Sequence, residues 1–375
     1  MFRSTLCYLH NDNSTLMLLR NKKNNDVNEG KWIGVGGKFE ENETAGSCLK
    51  REVFEETGLA LTSFRFHGII YFRNDEYPDE EMYLYSAGIS DEEAGIIKKH
   101  DCSEGNLSFI PDDKILSLDL WEGDRLFLKD LLDGKRRISY DLTYEKGKLV
   151  KQETVDIKNI LFDLDGTLID TGEGIMKSAQ YALQTMGIKA DDYRELTFFV
   201  GPPLMYTYTK RYGVDEKTAR EMVRLYRERY GPAGLFESEP YPGLRECLTL
   251  LRAQGYKLFV SSSKPEHMCR TLLEHFDLTG YFDDIAGSTP DGRIDTKSEV
   301  LYELFRRNEK DASFIGSSVL VGDTKFDVNG ANDVGISCVG VSYGYGEKEE
   351  LLSLGAVTVV NSMPEINSSL FTGII

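Results

Sequence analysis

At 375 residues the chain is longer than one hydrophobic core usually supports, so two or three domains are expected. A formal net charge of −18 with no offsetting basic stripe argues against nucleic acid as a partner. A small polyphosphate stays compatible, because a bound divalent ion reverses the local sign. With 41% hydrophobic and 28% charged residues the composition is that of an ordinary soluble protein. No apolar run approaches the roughly 18 residues of a membrane span, and MFRSTLCYLHNDN has no secretory signal pattern. Cys7, Cys48, Cys102, Cys247, Cys269 and Cys338 are scattered without a CxxC pair, so they read as thiols in a reducing compartment. The expected location is cytoplasmic.

Residues 2–10 and 15–20 are strand-like runs around the turn Asn11-Asp12-Asn13-Ser14, a hairpin signal. A polar, asparagine-rich loop follows over residues 21–30. KWIGVGGK then leads into GKFEENETAGSCLKREVFEETGL, residues 37–59, a glycine-rich turn feeding a helix. Asn42 is a plausible N-cap and Gly58 a helix stop. Ala45, Leu49 and Val53 form one apolar stripe. Glu52, Glu55 and Glu56 share another face, where three like charges oppose each other unless a cation lies among them. Hard ions such as Mg²⁺ take oxygen ligands of this kind.

Gly37, five residues, Glu43, seven residues, Arg51-Glu52-Val53, one residue, Glu55-Glu56, one residue, Gly58-Leu59 resembles a complete Nudix box. The resemblance implies hydrolysis of a nucleoside diphosphate linked to another moiety. Glu52, Glu55 and Glu56 would hold Mg²⁺ (or Mn²⁺), with Glu55 and Glu56 in catalytic roles. Arg51 and Glu43 would orient the helix, and the carbonyl of Gly36 would complete the coordination.

Residues 64–73 and 81–87 are further strands. Glu104 precedes the aromatic strand over 105–110. By the same resemblance it is either a metal ligand or general base, or else a turn glutamate before Gly105. Trp121-Glu122-Gly123-Asp124 opens an apolar helix ending near Leu132. Together with KWIGVGGK it is similar to the MutT/MutX branch, which destroys oxidised purine nucleoside triphosphates such as 8-oxo-dGTP. Trp121 offers a stacking plate and Asp124 a partner to a base edge. The competing reading makes them a core tryptophan and a helix-start aspartate. Ile33 and Gly123 stand where animal members of the branch have Asn and a second Asp. Residues 138–144 and 148–152 close a hairpin, and the first domain is expected to span 1–153.

Asn159-Ile160-Leu161-Phe162 ends in Asp163-Leu164-Asp165-Gly166-Thr167. Residues two apart on an extended chain point the same way, so Asp163 and Asp165 project together from a strand end. Downstream lie Ser261-Ser262-Ser263-Lys264-Pro265, then Lys297, then Gly322-Asp323-Thr324-Lys325-Phe326-Asp327. Four such elements in this order resemble the haloacid dehalogenase (HAD) phosphatase superfamily. The resemblance implies Asp163 as nucleophile, Asp165 as general acid/base and Ser262 and Lys297 as phosphate-binding groups. Asp163, Asp165 and Asp323 would be metal ligands, with Asp327 in support. Residues 171–241 read as helical, including 217–230, and would be the family's inserted α-helical cap.

The expected architecture is therefore multidomain α/β. A Nudix α/β/α sandwich with a mixed sheet (1–153) precedes a Rossmann-like HAD domain (154–375). The HAD parallel-sheet core covers 154–170 and 242–375. The expected activity is Mg²⁺-dependent hydrolysis at two sites: a nucleoside triphosphate cut to monophosphate and pyrophosphate, and dephosphorylation of a small ester, favoured to be that nucleotide. The alternatives are a pyrophosphatase or phosphoglycolate phosphatase for the HAD part, or a regulatory nucleotide-binding role for the Nudix part. The expected partners are small molecules, with no nucleic acid and no membrane.

Overall fold

A computed structural model describes residues 1–22, 26–308 and 313–371; positions 23–25 of the asparagine-rich loop lie outside the described residues. The chain divides into two compact units, Met1–Asp156 with Asn332–Ser337, and Ile157–Ala331 with Cys338–Ile375. Among the described residues no helix is long and apolar enough to cross a membrane.

The first unit runs β1 (Phe2–Asn11), β2 (Ser14–Arg20), β3 (Trp32–Ile33), α1 (Ala45–Thr57), β4 (Arg65–Asn74), β5 (Glu80–Gly88), α2 (Asp91–Ile97), β6 (Gly105–Pro111), α3 (Asp112–Ile115), α4 (Glu122–Leu132), β7 (Tyr140–Glu145) and β8 (Lys148–Thr154). Its eight-stranded sheet has the order β3-β2-β1-β5-β4-β7-β8, with β6 paired to β2. The sheet is mixed: β1 runs parallel to β5 and antiparallel to β2. β1 is buried along most of its length, as a central strand must be, whereas the edge strand β8 (KLVKQET) is largely exposed and charged. The Asn11–Ser14 turn and the closing hairpin both form, the latter in the register Glu145↔Lys148.

Helix α1 begins two residues later than an Asn42 cap would place it. Thr44 is the N-cap: its hydroxyl accepts from the Ser47 N–H, and the Ser47 hydroxyl accepts from the Thr44 N–H. Asn42 instead takes a left-handed turn conformation at φ 64°, which an asparagine tolerates and which removes it from the cap. Gly58 ends the helix in the left-handed conformation at φ 73°. Ala45, Leu49 and Val53 are buried as one stripe.

The second unit runs β9 (Asn159–Phe162), β10 (Ile169–Asp170), α5 (Gly172–Thr185), α6 (Leu204–Tyr212), α7 (Glu216–Tyr230), β11 (Glu239–Pro240), α8 (Leu244–Ala253), β12 (Lys257–Pro265), α9 (Glu266–His275), β13 (Asp284–Ser288), α10 (Lys297–Arg307), β14 (Ser318–Gly322), α11 (Lys325–Val334), β15 (Ser337–Val341), α12 (Lys348–Ser353), β16 (Thr358–Val360) and α13 (Met363–Phe371). Six strands in the order β13-β12-β9-β14-β15-β16 make a parallel sheet. β9 and β14 are buried at every residue, which is why they read as continuous apolar runs. The chain leaves the sheet after β9 and forms a short antiparallel pair, β10–β11. Between those two strands lies a helical insertion of α5, α6 and α7.

Candidate active sites

In the first unit the box helix α1 presents its acidic residues unequally. Glu56 is buried, Glu52 is 14% exposed at the side chain and Glu55 57%. Arg51 holds Glu43 through two nitrogens at 2.8 Å each, Glu52 at 2.7 Å and Glu55 at 3.4 Å. It also donates to the Lys38 carbonyl at 3.0 Å. These hydrogen bonds hold the Glu43 carboxyl down at about 2. The Gly36 N–H donates to Glu56 Oε2 at 2.8 Å, so that residue meets the helix through its amide. A Cβ on Gly37 would lie 2.4 Å from the Glu52 carboxyl, so only glycine lets the loop approach this closely.

Glu104 reaches this group through Arg20, a residue the motif does not contain. The Arg20 guanidinium pairs with Glu104, with Asp26 at 2.7 Å and with Glu56 at 4.0 Å. Six carboxylates, Asp26, Glu43, Glu52, Glu55, Glu56 and Glu104, thus share the guanidinium groups of Arg20 and Arg51. Such an excess of oxygen ligands fits a hard divalent cation.

Trp121 is the N-cap residue of α4, and Asp124 lies in its first turn. The Trp121 indole N–H donates to Asn28 Oδ1 at 2.9 Å, and the Lys31 ammonium sits 5.2 Å from the ring centre. Burial, with Glu80 adding to it, pushes the Asp124 carboxyl up to about 7. Between them, a Cβ on Gly123 would lie 2.7 Å from both Leu142 Cδ1 and the Tyr144 hydroxyl. The backbone there packs too tightly for a second aspartate.

In the second unit Asp163 and Asp165 leave the C-terminal end of β9 and face one cavity of about 120 Å³. They use different cations. The Lys297 ammonium lies 2.8 Å from Asp163 Oδ1 and 2.8 Å from Asp327 Oδ1, and donates to the Ser261 carbonyl at 2.8 Å. The Lys264 ammonium lies 2.8 Å from Asp165 Oδ2 and donates to the Tyr230 hydroxyl at 2.6 Å. Thr171 Oγ1 donates to the other oxygen of Asp165 at 2.7 Å. Ser262 lines the cavity and is buried.

Asp323 accepts from Thr167 Oγ1 at 3.0 Å and from the Tyr345 N–H at 2.9 Å. Gly166, at φ 80°, closes over it: a Cβ there would lie 2.2 Å from Asp323 Oδ2. One oxygen from each of Asp163, Asp323 and Asp327 lies within 4.8 Å of the others. Asp327, expected only in support, joins this cluster, while the Asp165 carboxylate turns aside to Lys264. Among the described residues Glu52, Glu55 and Glu56 do not converge in this way.

Burial pushes the Asp163 carboxyl up to about 6, with Asp327 adding to the rise and Lys297 opposing it. Asp323 is driven well above the usual carboxylate range by burial and then by Asp327 and Asp163. Burial pulls the Lys297 ammonium down, but Asp163 and Asp327 outweigh it and the net direction is up.

A family profile described as haloacid dehalogenase-like hydrolase matches residues 160–341, and one described as NUDIX domain matches residues 2–131. A 5′-nucleotidase from Pseudomonas aeruginosa is 40% identical over 193 residues, covering 52% of this chain and 86% of that protein. This chain is a haloacid dehalogenase-like hydrolase with a NUDIX domain ahead of it. A tyrosine-protein kinase, PtkA, from Mycobacterium tuberculosis is 34% identical over 208 residues, covering 56% of this chain and 69% of that protein. The crystal structure of a predicted phosphatase from Clostridium acetobutylicum superposes with a TM-score of 0.56 at 37% identity, covering 58% of this chain and 99% of that one.

Both families generally use divalent metals such as Mg²⁺. In the HAD site three buried carboxylates cluster, two of them beside the Lys297 ammonium, and this donor set fits a hard divalent cation. The residues that sequence reasoning did not single out are Arg20, Lys264, Tyr230 and Thr171. Lys264 alone had a signal, as a lysine directly after the serine run. Tyr230 and Arg20 sit in segments whose pattern reports only a helix and a strand.

Proposed function

We propose that the chain is a bifunctional hydrolase. The NUDIX domain hydrolyses a purine nucleoside triphosphate, oxidised forms such as 8-oxo-dGTP included, to monophosphate and pyrophosphate. The HAD domain then removes phosphate from the resulting nucleotide. The observation that carries the phosphatase half is the division of cations between two neighbouring carboxylates, Lys297 on Asp163 and Lys264 on Asp165. Asp163 attacks phosphorus, the ester P–O bond breaks, and Asp165 gives its proton to the departing oxygen. Asp165 then takes a proton from the water that attacks the aspartyl-phosphate, which releases phosphate and restores Asp163. Lys297 and Ser262 would hold the phosphoryl oxygens. Asp163, Asp323 and Asp327 would hold the divalent cation, which when bound stabilises charge on those oxygens.

The lining of the same cavity includes Phe199, Met205, Tyr226, Met268 and Phe326, apolar and aromatic faces of the kind a nucleoside would meet. The likeness to a protein named 5′-nucleotidase supports this choice. In the NUDIX domain Glu52, Glu55 and Glu56 would hold metal, and Glu104, tethered by Arg20, would take the proton of the attacking water. Trp121 and Asp124 would bind the base. The retained carboxylates favour catalysis over a purely regulatory role.

A second reading rests on Arg227, which also lines the HAD cavity. A cation there suits pyrophosphate or a small ester bearing a carboxylate, such as phosphoglycolate. The deciding experiment incubates the intact chain with a panel of nucleoside triphosphates, monophosphates, pyrophosphate and phosphoglycolate, and detects phosphate and pyrophosphate separately. Nucleoside plus phosphate from an oxidised purine triphosphate is the expected result. Consumption of pyrophosphate or phosphoglycolate, with the monophosphate left over, supports the second reading and refutes the first.

A further inference from the structure

Lys264 is only 8% exposed, yet it is a charged group on a flexible four-carbon stem. Two acceptors fix the direction of its ammonium: Asp165 Oδ2 at 2.8 Å and the Tyr230 hydroxyl at 2.6 Å. Tyr230 is the last residue of α7, in the helical insertion, and is itself buried. Its ring is stacked on Tyr226, one turn earlier, with centroids 5.1 Å apart and planes 20° from parallel. Lys264 comes from the opposite direction, at the end of the sheet strand β12. With Thr171 holding the second oxygen, the plane of the Asp165 carboxyl is set by three residues, and one of them acts only through another.

We infer that Tyr230 is a positioning residue for the phosphatase. Through Lys264 it fixes the Asp165 carboxyl and so ties proton donation at Asp165 to the packing of the helical insertion. The inference rests on the phosphatase reading above. The step it controls is transfer of the Asp165 proton to the ester oxygen as the P–O bond breaks. An alkyl leaving group needs that proton, whereas nitrophenolate leaves as the anion. Loss of the Tyr230 hydroxyl therefore penalises P–O cleavage for one class of ester and spares it for the other, whereas the later hydrolysis of the aspartyl-phosphate is common to both and does not enter kcat/KM.

The test uses the intact chain with Mg²⁺ and compares Tyr230→Phe with wild type on deoxyguanosine monophosphate and on p-nitrophenyl phosphate. The expected kcat/KM falls on the order of tenfold for the nucleotide and less than about threefold for the aryl ester, short of the roughly 10²–10⁴ that complete loss of general acid catalysis costs, because the acid is misplaced and not removed. KM for neither ester rises more than about twofold. Lys264→Met should show the same selectivity, and adding Tyr230→Phe to it should change nothing further. The ratio of two rates in one preparation does not depend on the folded fraction, so a destabilised variant still reports. Equal losses on both esters, or no loss, overturn the proposal. A raised KM with unchanged kcat also overturns it, making Lys264 a phosphate-binding cation. A wild-type chain that hydrolyses neither ester, or only the aryl one, overturns the nucleotide phosphatase reading together with this proposal; an active wild type with an unaffected variant overturns this proposal alone.

Discussion

The Lys297 ammonium lies 2.8 Å from Asp163 Oδ1, and both residues are buried. Asp327 stands at the same distance on another side of that ammonium. Burial strengthens such a pair, because its charges are screened less than they would be in water. Removing one partner of a buried pair typically costs about 3–5 kcal/mol, since the remaining charge is left uncompensated. Lys297→Met should therefore lower the stability of the HAD domain by about that amount and abolish phosphate release. Urea unfolding and a phosphate assay check this, and wild-type stability in the variant would show that Lys297 is not what holds the carboxylates together.

The two activities should separate by single substitutions. Asp163→Asn replaces the carboxylate proposed to attack phosphorus by an amide, so no aspartyl-phosphate should form and the monophosphate should accumulate. Glu56→Gln removes a charge from the carboxylate group around Arg20 and Arg51, and the triphosphate stays uncut. Product analysis by chromatography reads both. Pyrophosphate release at the wild-type rate from Glu56→Gln would place the NUDIX chemistry elsewhere.

The Glu43–Arg51 pair predicts a pH dependence. The folded carboxyl is held at about 2, below its unfolded range near 4.5. A depressed acid contributes stability above the unfolded value, and that contribution disappears as pH falls through the folded one. Discounted for partial exposure, the contribution is about 1–2 kcal/mol. Glu43→Gln should thus be less stable than wild type at pH 7, with the gap narrowing steadily between pH 5 and pH 3. A gap that is constant over this range would mean the pair acts through packing and not charge.

Asp124 works in the opposite sense. Its carboxyl sits at about 7 because it is buried, so near neutral pH it is part donor and part acceptor. If it reads the base, preference between oxidised and normal purines should change between pH 6 and pH 8. Asp124→Asn, which keeps a donor at every pH, should show a preference that does not move. Trp121→Ala should weaken purine triphosphate binding by about 1–3 kcal/mol if the indole stacks on the base. Preferences that ignore pH in wild type, with binding unchanged in Trp121→Ala, would make both residues structural.

Much of this protein is legible in local spacing. A helix puts residues four apart on one face, so Ala45, Leu49 and Val53 are buried together and Arg51 can grip Glu55. A strand puts residues two apart on one side, so Asp163 and Asp165 face the same cavity. The continuous apolar run ahead of Asp163 marked β9, which is buried at every residue, and the change of pattern after Asp170 marked the helical insertion. Even locally there was a limit. The choice of Thr44 over Asn42 as the cap turned on a reciprocal bond with Ser47, and several residues in that turn could have supplied an oxygen.

The tertiary structure decided which distant groups meet. Arg20 on β2 lies near Glu104 because β2 pairs with β6, and nothing in the spacing of either segment reports that register. Asp327 enters the carboxylate cluster, and Asp165 leaves it for Lys264, because β9, β12 and β14 are neighbours in one parallel sheet. Tyr230 finds Lys264 only because the insertion folds back over the end of that sheet. The composition and motifs of the chain determined its chemistry, since helix and strand periodicity act over a few residues. The partners that orient each carboxylate depended on strand order and packing, which act across hundreds.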